Sequence, residues 1–180
     1  MSQKTKGFTQ NQITYTGTVR LSQYHKGKRH EIAEIHNEGG KPLFDFLADC
    51  LAGDFDLAKT NIPSVIKLLN VDEAGNKSVA ANTPVIYMYT KPERVYSETA
   101  GIVRYSFVIP QEYFAAGNIS GATRFNAIGL YTDEAAAADD FAAFCAVDTN
   151  DSNWDISMSS ALVLDWELQI TNEQKPLAEQ

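Results

Sequence analysis

The stretch Leu162-Val-Leu-Asp-Trp-Glu-Leu-Gln-Ile-Thr171 decides the fold. Apolar side chains occupy every second position, and most of the positions between them are polar. This period of two is typical of a β-strand with one buried face and one solvated face. A slip of one residue would put Trp166 in water and bring Asp165 and Glu167 into the core, so the register is strongly specified. We therefore predict that Trp166 is a core residue.

Seven further segments alternate in the same way or are rich in β-branched and aromatic residues. They are residues 13–21, 30–36, 65–69, 85–90, 102–109, 125–131 and 141–147. Glycine, asparagine and proline separate them, and the alanine-rich link 133–140 has room for a helical turn. About eight strands without alternating helices predict a mostly-β fold, either an antiparallel β-sandwich or a jelly-roll-like barrel.

One segment has the periodicity of a helix. Pro42 suits a first helical turn, and Gly53 stands where a left-handed cap is needed. We predict one short amphipathic helix over 42–52, packed across a sheet. Its apolar stripe consists of Leu43, Phe46, Leu47, Cys50 and Leu51.

The length of 180 residues suits one domain. We expect a flexible N-terminal arm at 1–12, a single β-sandwich domain at 13–172 and a flexible C-terminal tail at 173–180. The polar start has no apolar segment of the kind that directs secretion. No apolar run approaches the ~20 residues that span a bilayer, so no membrane partner is expected.

Charge and cysteine usage narrow the possible partners and the compartment. The net charge is −8, which disfavours nucleic acid because phosphate backbones are negative too. A small cluster, Lys26, Lys28 and Arg29, is interpreted as a polar turn. Cys50 and Cys145 lie in apolar stretches and are expected to be buried free thiols. We therefore expect the chain to fold in a reducing cytoplasm.

No pattern of residues predicts catalysis. His25, His30 and His36 match neither a helical histidine pair nor a Cys/His metal spacing. A Gly-x-Ser-x-Gly turn is absent, and the glycines at 39 and 40 lack the Lys-Ser/Thr of a phosphate-binding loop. We therefore predict a protein that is not an enzyme and has no catalytic, metal or cofactor-binding residues.

An acidic loop at 148–155 leaves an alternative open. Its oxygen-bearing side chains favour a calcium site, but Asn153 and Ser159 stand where glycine and glutamate belong in a regular calcium loop. Trp154 is either an exposed anchor for sugar or protein, or a cap on the sandwich edge. The alternative function is therefore a carbohydrate-binding β-sandwich module, with or without calcium, whose partner is a host glycan.

The order of these elements resembles a group of tailed-bacteriophage virion proteins from tail fibres, baseplates, necks and head accessories. A hairpin is followed by His-Asn-Glu-Gly-Gly, which opens a helix, and by Ile-Pro-Ser-Val-Ile-Lys-Leu-Leu. Then come a long strand ending in proline, an Ile-Gly-Leu-Tyr strand and a closing Trp-x-Leu-x-Ile strand. These features span residues 36–40, 62–69, 104–110, 125–132, 141–147 and 162–170. Asn70 to Gly75 stands where a Gly-Thr-Gly stretch is often found in the group.

The resemblance implies a structural component of a tailed-bacteriophage virion, in its tail, baseplate, neck or capsid accessories. We expect it to act through protein-protein assembly with other virion proteins and to form a homo-oligomer. The expected location is the virion, after synthesis and folding in the cytoplasm of the bacterial host.

Overall fold

The computed structural model describes residues 9–56, 62–80, 83, 85–98, 100–110, 125–146 and 161–176. Within these ranges the chain forms ten antiparallel β-strands and one α-helix. The elements are β1 (Thr9–His25), β2 (Lys28–Gly39), α1 (Lys41–Ala52), β3 (Val65–Val71), β4 (Lys77–Val79), β5 (Ile86–Tyr87), β6 (Glu93–Val95), β7 (Ala100–Ile109), β8 (Ala127–Tyr131), β9 (Ala143–Ala146) and β10 (Leu162–Pro176). The predicted mostly-β fold with a single helix is confirmed.

The structure has ten strands where the sequence predicts about eight. Each predicted strand has a counterpart, and the two additional strands are β4 and β6. Each of these covers only three residues, which is too short for a period of two to be recognised.

The front layer consists of β1, β2, β6, β7 and β10. β10 lies between β1 and β7, with Trp166 opposite Val19 on one side and Tyr105 on the other. The Trp166 side chain is fully buried, which confirms the predicted core position. Because β10 is paired along both edges, the orientation of its two faces is fixed. This central placement explains why its alternation of apolar and polar residues is so regular.

The back layer consists of β3, β4, β5, β8 and β9. The last two residues of β2, Glu38 and Gly39, pair with β9 and so carry the sheet from the front layer into the back layer. On the opposite side, β5 pairs with β3, and the next residue, Met88, bridges to Phe107 of β7. The layers are thus joined on both sides.

One hydrophobic core fills the space between the layers. The front layer contributes Val19, Leu21, Tyr105, Phe107, Leu164 and Trp166, and the back layer contributes Ile66, Leu68, Ile128, Leu130 and Cys145. Burial of these side chains is the main favourable term in folding, at about 25 cal/mol per Å² of apolar surface.

A second apolar cluster covers the outer face of the back layer. Here the link between β8 and β9 lies over the sheet. The Tyr131 hydroxyl donates to the Ala138 carbonyl at 2.7 Å, and the buried Lys67 Nζ donates to the Ala136 carbonyl at 2.6 Å. The link contains two tight turns rather than a helical segment, in which the Ala136 N–H donates to the Asp133 carbonyl and the Asp140 N–H donates to the Ala137 carbonyl.

The strands extend further than the predicted arm and tail allow. β1 begins at Thr9 and β10 ends at Pro176, and these two residues are paired. The paired strands therefore run past the predicted boundaries at 12 and 173, because each segment supplies backbone partners to the other. Residues 1–8 and 177–180 lie outside the described part of the chain.

Helix α1 covers Lys41–Ala52, close to the predicted range. Gly53 caps its end with φ 80°, and its N–H donates to the Cys50 carbonyl. The predicted stripe is only partly buried: Leu43 is buried, whereas Leu51 is 81% exposed. The helix lies against the core through one edge of its apolar surface, so the prediction for Leu51 is wrong. No helix in the described ranges is long and apolar enough to cross a membrane.

Candidate functional site

A two-stranded ribbon extends beyond the sandwich. β2 pairs with β1 only from Gly17 to His25, and β7 pairs with β10 only up to Thr171. Beyond those points β1 and β10 continue side by side to Thr9 and Pro176. In the part of the chain that the structure describes, the outer edge of β1 from Thr9 to Thr16 therefore has no partner strand.

Gly17 marks the point where β2 separates from β1. It lies opposite Asn37, whose side chain occupies the space above it: a Cβ at Gly17 would stand 1.6 Å from Asn37 Oδ1. Only glycine permits this close approach. Before Gly17 the outer edge of β1 is therefore unpaired in the described structure. The unsatisfied backbone groups of such an open edge are a template for another strand.

Helix α1 presents a second unusual surface beside the ribbon. Phe44 is about half exposed, and Leu51 and Phe55 are 81% and 63% exposed. The Phe44 ring meets the ring of Tyr15 edge to face, with centroids 6.2 Å apart, so this surface begins at the base of the ribbon. Large apolar groups clustered in water commonly mark a protein contact.

A polar cleft of about 510 Å³ lies on the outer face of the front layer. Its floor is Asp165, which is buried although the alternation placed it on the solvated face. Arg29 donates to one carboxylate oxygen, and Ser106 Oγ donates to the other at 2.5 Å. These two partners make burial of the carboxylate tolerable, which corrects the simple two-face prediction. The cleft is lined by Arg29, Tyr89, Thr90, Lys91, Pro92, Glu93, Arg104, Ser106 and Asp165.

The wall of the cleft is attached to the sheet by its backbone. Met88 bridges to Phe107, and the Tyr89 N–H donates to the Ser106 carbonyl at 3.3 Å. The Tyr89 side chain stays about half exposed at the rim. The cleft therefore combines fixed charged groups with an aromatic ring that a ligand or a protein can contact.

Ion pairs continue from the cleft across the front layer. Glu167 accepts from Arg20 and Arg104, each at 2.6 Å, and Arg20 also binds Glu34 at 2.9 Å. Burial raises the pKa of Glu167, but the hydrogen bonds from Arg104 and Arg20 outweigh it and leave the pKa below its usual value. A network of this kind stabilises more than isolated surface pairs do.

The structure does not bring together the histidines and cysteines that the sequence offers as candidate metal ligands. His30 and His36 are exposed along β2, and His25 ends β1. Among the described residues, no group of three His, Cys, Asp or Glu side chains is arranged to hold a metal ion. Cys50 is half-buried rather than buried, and both described cysteines are free thiols.

Cys145 is buried as predicted. Burial raises the pKa of its thiol to about 12, so the sulfur remains protonated near neutral pH. Because the thiolate is the reactive form, this side chain behaves as a small apolar group.

The predicted acidic loop 148–155 with Trp154 lies outside the described residues. Between β3 and β4 the described chain contains a tight hairpin tip. There Asp72 accepts from the N–H groups of Ala74 and Asn76 and from the Asn76 side chain.

Sequence reasoning missed the cleft and the ribbon edge. Arg29, Ser106 and Asp165 are far apart in the chain and become neighbours only through pairing of the strands. The sequence offers one indication of the cleft, which is the charged residue Asp165 inside the most regularly alternating segment. It does not show which residues are the partners of Asp165. Comparison of the chain with protein-family models, with curated proteins and with solved structures gives no match.

Proposed function

We propose that the chain is a non-enzymatic structural component of a tailed-bacteriophage virion that acts through protein-protein assembly. The observation that carries the proposal is the outer edge of β1 from Thr9 to Thr16, which has no partner strand among the described residues. A two-stranded ribbon is marginal in water by itself. A third strand supplied by a neighbouring subunit would satisfy its backbone groups, as in strand addition between proteins.

Two further observations support assembly. The exposed apolar side chains of α1 lie beside the ribbon and present a second surface for a neighbouring subunit. The order of strand motifs resembles that of tailed-phage virion proteins. The proposal includes synthesis in the bacterial cytoplasm and a final location in the particle.

The proposal is tested by mass spectrometry on purified particles. Virions are prepared by density-gradient centrifugation from a lysate of cells that express the chain from its own phage genome. The protein is expected in the particle fraction at a stoichiometry of several copies, in a constant ratio to other virion proteins. A chain that is abundant in the lysate but absent from purified particles contradicts the proposal.

A carbohydrate-binding module is the second candidate, and the polar cleft is the observation that favours it. Paired charged groups present many hydrogen-bonding atoms, and Tyr89 supplies an exposed ring. Such a combination suits a small polar ligand. A glycan array is the test: Tyr89→Ala is expected to abolish binding, whereas Tyr96→Ala, which alters an 86% exposed tyrosine outside the cleft, should leave it unchanged.

The acidic loop provides a separate arm of that test. Loss of glycan binding in Trp154→Ala but not in Tyr89→Ala would move the binding site from the cleft to residues 148–155. Binding that survives a chelator would count against the calcium-dependent version. Absence of binding to every glycan on the array would remove this candidate.

A further inference from the structure

Two exposed surfaces of opposite charge lie on different parts of the molecule. The acidic helix surface consists of Phe44, Leu51 and Phe55 with Asp45, Asp49, Asp54 and Asp56. Residues 41–56 carry these four carboxylates and one cation, Lys41, which gives a net charge of −3. The apolar side chains of this surface are half exposed or more.

The basic tyrosine surface lies at the turn between β1 and β2 and along the cleft wall. It consists of Tyr24, Lys26, Lys28, Arg29, Tyr89 and Lys91. Tyr24 is paired with Arg29 in the hairpin, and Arg29, Tyr89 and Lys91 line the same cleft. Tyr24 and Tyr89 are about half exposed.

Three of the four cations on the basic surface are available for a partner. In the described structure, Lys26, Lys28 and Lys91 form no ion pair within the chain, and Arg29 binds Asp165. The chain as a whole has a net charge of −8, so this cluster of cations stands out against an acidic background. Exposed tyrosines beside cations suit an apolar surface rimmed by carboxylates.

The two surfaces are separated along one strand. β2 begins at the hairpin that carries the basic surface and ends at Gly39, directly before the helix. Its 12 residues correspond to about 36 Å at the usual rise of an extended strand. A contact between two helix surfaces would face carboxylates with carboxylates, and two basic surfaces would repel in the same way.

We infer that copies of this chain associate head to tail, with the acidic helix surface of one copy against the basic tyrosine surface of the next. The inference rests on the proposed assembly function and names a second copy as the partner. Because the two contacting surfaces differ, the interface is heterologous, and repeated contacts generate a closed ring or an open filament according to the rotation between copies. Charge selects the orientation, and the apolar side chains are buried in the contact.

The test uses sedimentation velocity of the full chain at low and high salt. The wild type is expected to self-associate at low salt and to dissociate as salt rises. Lys28→Glu with Lys91→Glu, and separately Asp54→Lys with Asp56→Lys, should each weaken self-association by about tenfold or more. Glu73→Lys with Glu98→Lys makes the same charge change as the second variant at exposed positions outside both surfaces. This control should associate as the wild type does.

Recombination of the variants identifies the pairing. A chain that carries both reversals should regain association, and so should a mixture of the two reversed variants, because each then faces an opposite charge. Leu51→Ser with Phe55→Ser should weaken association at low salt, whereas Val79→Ser, at an exposed apolar position on β4, should not.

Three results would overturn the inference. They are a wild type that stays monomeric at low salt, association that responds to reversal of only one surface, and a double reversal that fails to recover. A monomeric chain that is nevertheless found in purified virions would overturn this inference alone and leave the proposed function standing. Circular dichroism on every variant separates loss of contact from loss of fold.

Discussion

The two ends of β10 experience different environments. From Leu162 to Thr171 the strand lies between β1 and β7, and its inward side chains are part of the core. From Asn172 to Pro176 its partner strand among the described residues is β1 alone. The sequence of the first part predicts its structure, because burial of one face requires apolar and polar residues to alternate strictly. The second part is paired with β1 through its backbone, and many sequences can form such pairing. Stability is therefore expected to depend on the first part, and assembly on the second.

The largest effect is expected at Trp166. Trp166→Ala removes a fully buried ring between Val19 and Tyr105, so the free energy of unfolding should fall by about 3–5 kcal/mol. Tyr96→Ala, at an 86% exposed ring, is the control and should change it by less than about 0.5 kcal/mol. Urea titration followed by circular dichroism measures both. Equal effects would show that the core assignment is wrong.

The sequence predicts the sandwich better than it predicts the surfaces. Trp166 lies between the polar residues Asp165 and Glu167, and this alternation carries structural information over a few residues. The strands Glu93–Val95 and Lys77–Val79 are too short to show this alternation. Leu51 belongs to the apolar stripe of the helix, but the fold buries only part of that stripe. Asp165 was placed on the solvated face because nothing near it in the chain shows that Arg29 and Ser106 surround it. The cleft, the ion pairs and the ribbon edge depend on pairing between strands that are far apart in the chain. A single sequence does not show which strands pair.

A second effect is expected where the sheet meets the helix. A Cβ at Gly40 would stand 1.9 Å from the Phe141 backbone carbonyl oxygen, so Gly40→Ala must displace the main chain and should destabilise by about 1–3 kcal/mol. At Gly101 the nearest atom to a Cβ, the Ile170 carbonyl oxygen, is 4.0 Å away. Gly101→Ala is the matched control and should leave the unfolding temperature unchanged or slightly raised. The opposite ranking would contradict the close approach of Gly40 to the Phe141 backbone.

A smaller effect concerns pH and the ion pairs around Glu167. Its pKa is lower in the folded chain than in the unfolded chain, so its contribution is complete above the unfolded pKa of about 4.3. The contribution is lost as pH falls through the folded pKa, because the unfolded state then binds the proton more readily. Glu167→Gln should lower stability by about 1 kcal/mol at pH 7 and flatten the acid dependence. Urea midpoints measured between about pH 3 and pH 7 test this. An acid slope identical to that of the wild type would show that Glu167 is not responsible.

The smallest effect on stability, and the most direct test of the central claim, comes from removing the ribbon. Deletion of residues 1–12 together with 173–180 removes residues 9–12 of the β1 edge and the β10 residues paired with them, and leaves the core residues in place. We predict an unfolding temperature within a few degrees of the wild type, together with loss of the truncated chain from purified virions. Incorporation of the truncated chain at the wild-type level would contradict the claim that the ribbon edge is the assembly contact.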